Sequence, residues 1–369
     1  MLKSIRTSLL AGIAGVVALG VAATAQAQEK VVNIFNWSDY IDDSILADFT
    51  KETGIKVVYD VFDSNDILET KLLAGSTGYD LVVPTGTFLA RQIQAGVFQK
   101  IDKSKVPNLS HMWPEIQERV AKYDPGNEYS VNYMWGTTGL GYNVAKVKEV
   151  LGDDAPVDSW DLVFKKENVE KLAKCGVHML DSADEMIPAA LNYLGKDPDS
   201  KETADIQEAA AFLATIKPYV QKFHSSEYIN ALANGDICVA VGWSGDIVQA
   251  RDRAVEANNG NEIQYVIPKE GALMWFDQMA IPADAKNVDN ALAFLNYLQQ
   301  PEVIAKASNY IFYANGNKDS QQFIDAEVLD DPTIYPPAEV VAKLFTISPY
   351  PPAAQRVLSR AWTAVKSGS

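Results

Sequence analysis

Histidine and cysteine are the scarce residues of this 369-residue chain, which has three of the first (His111, His178, His224) and two of the second (Cys175, Cys238). None of the histidines stands at ligand spacing to another or to a cysteine, so no metal and no cofactor is expected. Beyond the first two dozen residues no run approaches the ~18 uninterrupted apolar residues of a membrane span. Basic residues are also in deficit, 32 Lys and Arg against 48 Asp and Glu. Phosphate binding wants a basic face, so nucleic acid is set aside as a partner. A negative field instead concentrates cations.

The chain opens with Lys3 and Arg6, then an apolar, small-residue run from Leu9 to Ala23, then Ala25-Gln26-Ala27. This pattern predicts a secretory signal peptide, residues 1–27, cleaved after Ala27. Gln28 rather than a cysteine follows, so no lipid anchor is implied there, and a soluble exported protein is expected. Cleavage leaves 30 bases against 48 acids, a formal charge of −18. In an oxidising compartment the isolated pair Cys175 and Cys238 is most simply one disulfide. Closing a loop of about 60 residues would contribute about 4 kcal/mol through chain entropy.

Strand-like and helix-like segments alternate over a length that suits two domains, which argues an α/β fold. Val31–Phe35, Lys56–Phe62, Tyr79–Pro84 and Ile237–Val241 read as strands, β-branched and aromatic, and in Met274–Pro282 aromatics flank an acid. Asp66 with Glu69 is expected to cap a helix over Ile67–Ala74. Tyr133–Asn143, with three glycines, fits neither phosphate-loop pattern and reads as a flexible extended crossing between domains. Ligands of open α/β sheets sit beyond the carboxyl ends of the strands. Asn36-Trp37-Ser38-Asp39-Tyr40 occupies such an end, and so does Gly242-Trp243-Ser244-Gly245-Asp246. Gly-Trp-Ser-Gly lacks the final glycine of a nucleophile elbow, since Asp246 stands there.

The acids at these junctions are Asp39, Glu185, Asp246 and Asp277; the aromatics are Trp37, Tyr40, Trp243, Trp275, Phe276 and Tyr313. No Lys or Arg interrupts these short stretches. Carboxylates without basic neighbours, beside several indoles, describe a pocket for a compact organic cation. Ammonium groups donate charge-assisted hydrogen bonds to carboxylates, and each ring face adds roughly 0.5–2 kcal/mol. An amino-acid receptor would need an Arg for the α-carboxylate. The competing readings are a receptor for another cation such as a betaine, a hydrolase with paired carboxylates, and ordinary capping and core packing at each junction.

The stretches Ile34–Tyr40, Val58–Asn65, Ala74–Pro84 and Gly235–Ala240 resemble the periplasmic putrescine/spermidine-binding proteins of bacterial polyamine ABC importers, a likeness running over essentially the whole mature chain. It implies a two-lobed, type II solute-binding fold that closes by hinge motion around a polyamine and delivers it to an inner-membrane ABC permease, periplasmic and without catalysis; nothing in the sequence suggests more than a monomer. The implied division is residues 28–135 with 262–303 in one lobe and 136–261 with 304–369 in the other. By the same likeness Trp37, Tyr40, Trp243 and Tyr313 wall the alkyl chain, and Asp246, Asp277 and Glu185 hold the ammoniums. Ser38 and Asp39 contribute at the rim, and Ser225 a hydroxyl. The family's cysteines match Cys175 and Cys238. Thr85 stands where serine is usual, and Trp275 where phenylalanine is usual; tryptophan there resembles the spermidine-preferring relatives, which tilts the expected ligand slightly from putrescine to spermidine.

Overall fold

A computed structural model describes residues 30–368. The expected signal peptide and its cleavage site lie outside the described residues. Eleven strands are present among those described: β1 (Val31–Trp37), β2 (Lys56–Phe62), β3 (Leu81–Val82), β4 (Phe98–Gln99), β5 (Ser130–Asn143) and β6 (Val177–Met179). They continue with β7 (Lys222–Phe223), β8 (Val239–Trp243), β9 (Ile263–Val266), β10 (Met274–Pro282) and β11 (Ala314–Asn315). Their order is β2-β1-β3-β10-β5-β8-β6-β7, with β4 on β10 and both β9 and β11 on β5. The β1–β2 and β1–β3 pairs are parallel, and so are β6–β7 and β6–β8; the strands between these two groups run antiparallel. This is a mixed sheet of the expected α/β class, two parallel groups joined through antiparallel strands.

β5 joins the halves. Its first part, Ser130 to Thr137, pairs with β10; its second, Thr138 to Asn143, pairs with β8 and β9. The extended crossing is therefore present, but it is a hydrogen-bonded strand buried along its length rather than a flexible link. Its glycines serve packing: a Cβ on Gly136 would lie 2.7 Å from the Trp275 ring.

Local chemistry explains the flanking helices. Asp42, not Ser38 or Asp39, caps the helix Asp43–Thr53 by accepting from the Ser44 amide, and Gly54 ends it in the left-handed region. Ser64 caps the helix Asn65–Ala74, displacing the expected Asp66. Glu69 instead holds Arg91 bidentately. Cys175 and Cys238 form the expected disulfide, with Cα atoms 5.6 Å apart, tying the segment before β6 to the start of β8. Among the described residues no helix is long and apolar enough to cross a membrane.

Candidate binding site

Strand ends and helix starts from both halves of the sheet converge on one cavity. Trp37, Ser38 and Tyr40 reach it from the end of β1, Thr85 from after β3, and Trp275 and Asp277 from β10. Opposite them stand Glu185 in the first turn of the helix Ala183–Tyr193, Ser225 after β7, Trp243 at the end of β8, and Asp246 in the first turn of the helix Ser244–Glu256. Tyr313 closes the set, just before β11.

The rings form a continuous arc. Trp37 and Trp243 meet edge to face at 5.4 Å, Trp243 and Trp275 at 6.4 Å, Trp275 and Tyr313 at 5.4 Å, and Tyr313 and Tyr40 at 5.3 Å. Glycine makes room for two of them. A Cβ on Gly136 would strike Trp275, and one on Gly245 would sit 2.4 Å from the Tyr313 ring.

Three buried carboxylates are held by neutral donors alone. Asp277 accepts from the Tyr40 hydroxyl at 2.8 Å and the Thr85 hydroxyl at 2.7 Å, and Thr85 in turn accepts from the Asn65 amide at 2.9 Å. Asp246 accepts from the hydroxyls of Tyr228 at 2.6 Å and Tyr313 at 2.7 Å. Glu185 accepts from the Thr138 hydroxyl and, at 3.3 Å, from the Trp243 indole. Burial raises all three against the partial relief of these hydrogen bonds. Asp277 and Glu185 are pushed up to about 7, and Asp246 to about 6. The lining contains no Lys, Arg or His. Such a space lacks one chemical component, a positive charge able to donate hydrogen bonds.

A model of the family described as bacterial extracellular solute-binding protein matches residues 44–336. The chain belongs to that family. It is 56% identical over 363 residues to the putrescine-binding periplasmic protein PotF of Escherichia coli, covering 98% of this chain and 97% of that one. It is 52% identical to the putrescine-binding periplasmic protein SpuD of Pseudomonas aeruginosa, over the full length of both. The spermidine/putrescine-binding periplasmic protein of Escherichia coli is 35% identical over 89% of each chain. A solved structure described as a putative spermidine/putrescine ABC transporter from Listeria monocytogenes superposes with a TM-score of 0.81 at 32% identity, covering 91% of this chain and 99% of that one. This solute-binding protein is accordingly a binding protein and not an enzyme, which removes the hydrolase reading.

Of the twelve ligand positions expected from sequence, eleven line the cavity of this solute-binding protein. Asp39 is the exception. Its backbone is left-handed, φ 55°, and its carboxylate is exposed and paired with Arg253 at 2.7 Å. Phe276, counted among the junction aromatics, is absent from this lining; it borders a smaller space behind Trp275. Sequence reasoning missed Asp63, Ser64, Asn65, Asp66, Phe88, Asp181 and Ser182, all of which also line the main cavity. Most of these follow β2 or β6, so the same strand-end rule reaches them. Tyr228 and Thr138, which orient two of the carboxylates, carry no such signal.

Proposed function

We propose that this protein is a periplasmic polyamine receptor that closes around a protonated aliphatic diamine and hands it to an ABC permease of the inner membrane. The observation that carries this reading is the set of three buried carboxylates, Glu185, Asp246 and Asp277, in one aromatic-walled cavity without a basic residue. Each would exchange the cost of burial for a charge-assisted hydrogen bond from an ammonium, and the rings would flank the methylenes between. Trp37, Tyr40, Trp243, Trp275 and Tyr313 are assigned as walls, with Ser38, Thr85 and Ser225 as rim or supporting hydroxyls.

Putrescine is placed ahead of spermidine, reversing the tilt drawn from Trp275. The relatives above 50% identity are named for putrescine, whereas the spermidine/putrescine-binding relatives of Salmonella typhimurium and Escherichia coli stand at 34% and 35%. One ring substitution weighs less than the site as a whole.

The lobes are assigned from strand pairing: residues 30–137 with about 274–323 in one, and 138–272 with the C-terminal helix in the other. This moves both returns from the positions expected at 262 and 304, because β9 pairs with the second part of β5 and β11 with the first. The helix Pro352–Ser367 packs on the helices Ala183–Tyr193 and Thr203–Ile216 of the second lobe.

Titration calorimetry of the mature protein with putrescine, cadaverine, spermidine, agmatine and glycine betaine tests the proposal. Putrescine is expected at micromolar affinity or tighter, ~8 kcal/mol, with the quaternary amine far weaker. If no primary amine binds better than ~0.1 mM, about 5.5 kcal/mol, the assignment is wrong.

A further inference from the structure

The stretch Gly242–Asp246 carries two glycines, and each makes room for a tyrosine from elsewhere in the chain. A Cβ on Gly242 would lie 2.6 Å from the Tyr228 ring, just as one on Gly245 would strike Tyr313. Both hydroxyls end on Asp246, Tyr228 donating to Oδ2 and Tyr313 to Oδ1. Each hydroxyl oxygen also accepts a main-chain amide from the start of the helix Ser244–Glu256. The Trp243 amide donates to Tyr228 at 3.2 Å, and the Asp246 amide to Tyr313 at 3.1 Å. An amide N–H can only donate, so each phenol proton is left to point at the carboxylate. Amides at a helix start have no partner inside the helix and carry its partial positive charge. Two short hydrogen-bond chains thus pass that charge through phenols onto one acid.

The cavity lining includes Tyr313 but not Tyr228. Tyr228 opens the helix Tyr228–Ala233 and is completely buried. Phenylalanine would fill the same space without the cost of burying a hydroxyl. Burial pushes the Tyr228 phenol well above its ordinary range, so it stays a donor. Burial also raises Asp246 to about 6, against the relief that both phenols give. The other ionisable groups acting on Asp246 are Asp39 and Tyr40 after β1, Asp277 on β10 and Arg253 on its own helix. Arg253 is committed to Asp39 and Asn230.

We propose that Tyr228 is a positioning residue for amine capture, which never touches the ligand but aims the Asp246 carboxylate and keeps it charged at the acid end of the receptor's working range. The inference rests on the amine-receptor reading above and deepens it. Tyr313 could serve as wall and donor at once; Tyr228 is left with the second task alone.

The test is calorimetry with putrescine at pH 6 and pH 8 on the wild type, Tyr228→Phe and Asp246→Asn. Beside it runs carboxyl-carbon NMR of the ligand-free proteins labelled in aspartate, with the Asp246 signal assigned by its loss in Asp246→Asn. Tyr228→Phe is expected to weaken binding about tenfold at pH 6 but less than about threefold at pH 8, and to move the Asp246 titration midpoint up. Asp246→Asn should instead lose more at pH 8 than at pH 6. A Tyr228→Phe loss equal at both pH values would mark a packing role and overturn the proposal. Unchanged affinity at pH 6, or an unmoved Asp246 midpoint, overturns it as well. If Tyr228→Phe does not fold, 3-fluorotyrosine in place of Tyr228, a stronger donor on the same ring, decides. The midpoint should then fall, and one that stays or rises overturns the proposal. A wild type that binds no amine overturns the receptor reading itself, whereas the ligand-free titration still tests the part played by Tyr228.

Discussion

Asp39 and Arg253 stand 2.7 Å apart, one after β1 and the other on the helix that begins at Ser244, so that their ion pair links the two halves of the molecule beside the cavity. Arg253 is also held by Asn230 at 2.8 Å, and the Asp39 carbonyl accepts from Gln249 at 3.4 Å. Both charged side chains are partly exposed, at 41% and 33%. Exposed pairs of this kind contribute ~0.2–1 kcal/mol. Arg253→Ala is therefore expected to weaken ligand binding only about two- to fivefold, through faster release. Stopped-flow dissociation at low and high salt checks it, and the mutational effect should shrink as salt screens the wild-type pair. A change in association rate alone would contradict this role.

The front carboxylates should matter far more. Asp246→Asn and Asp277→Asn are each expected to cost ~1.5–3 kcal/mol of putrescine binding, the range for hydrogen bonds to charged groups. Calorimetry measures this directly. Retained affinity in both variants would remove these residues from the site.

Binding should also depend on pH in a definite direction. Glu185 and Asp277 lie at about 7 and Asp246 at about 6 without ligand, all raised by burial, while an ammonium needs them ionised. Affinity is expected to rise from pH 5 to pH 8, with protons released on binding below about pH 7; calorimetry in buffers of different ionisation heat counts them. Linkage gives the matching stability effect. Unfolded carboxylates ionise near pH 4 and the folded ones later, so these groups lower the ligand-free protein's stability as pH rises from about 4 through 7. Thermal melts with and without putrescine should diverge over that interval, and parallel curves would rule the coupling out.

Gly245→Ala tests the packing behind Asp246. The added methyl would lie 2.4 Å from the Tyr313 ring and 2.7 Å from the Ile311 carbonyl, forcing a shift worth about 1–3 kcal/mol of stability. Tyr313 donates to Asp246, so affinity should fall with stability. A variant that melts lower yet binds equally well would separate the two.

Much of this site was legible because its residues follow a positional rule. Trp37, Tyr40, Trp243 and Asp246 sit where strands deliver the chain to the cleft, and position together with residue type was enough to single them out. Asp63, Ser64 and Asn65 occupy the same kind of position, but turns use those residue types for their own reasons, so residue type did not single them out. Tyr228 and Thr138 were beyond reach: one lies in a helix and the other mid-strand, and only the folded arrangement turns their hydroxyls onto Asp246 and Glu185. The glycines of β5 misled in another way. Glycine signals backbone freedom in sequence, whereas Gly136 is needed for the room its missing side chain leaves to Trp275. Asp39 showed the limit of reading short stretches, because its counter-charge comes from a residue over two hundred positions away.

The chain passes between the two halves of its sheet more than once: within β5, again between β9 and β10, and a third time between β11 and the C-terminal helix. No single cut in the gene can then yield two self-sufficient fragments. A piece ending at Thr137 would lack β10, the neighbour that stands between β3 and β5, and would expose an apolar edge prone to aggregation. Any reporter built by splitting this receptor must keep both parts present during folding.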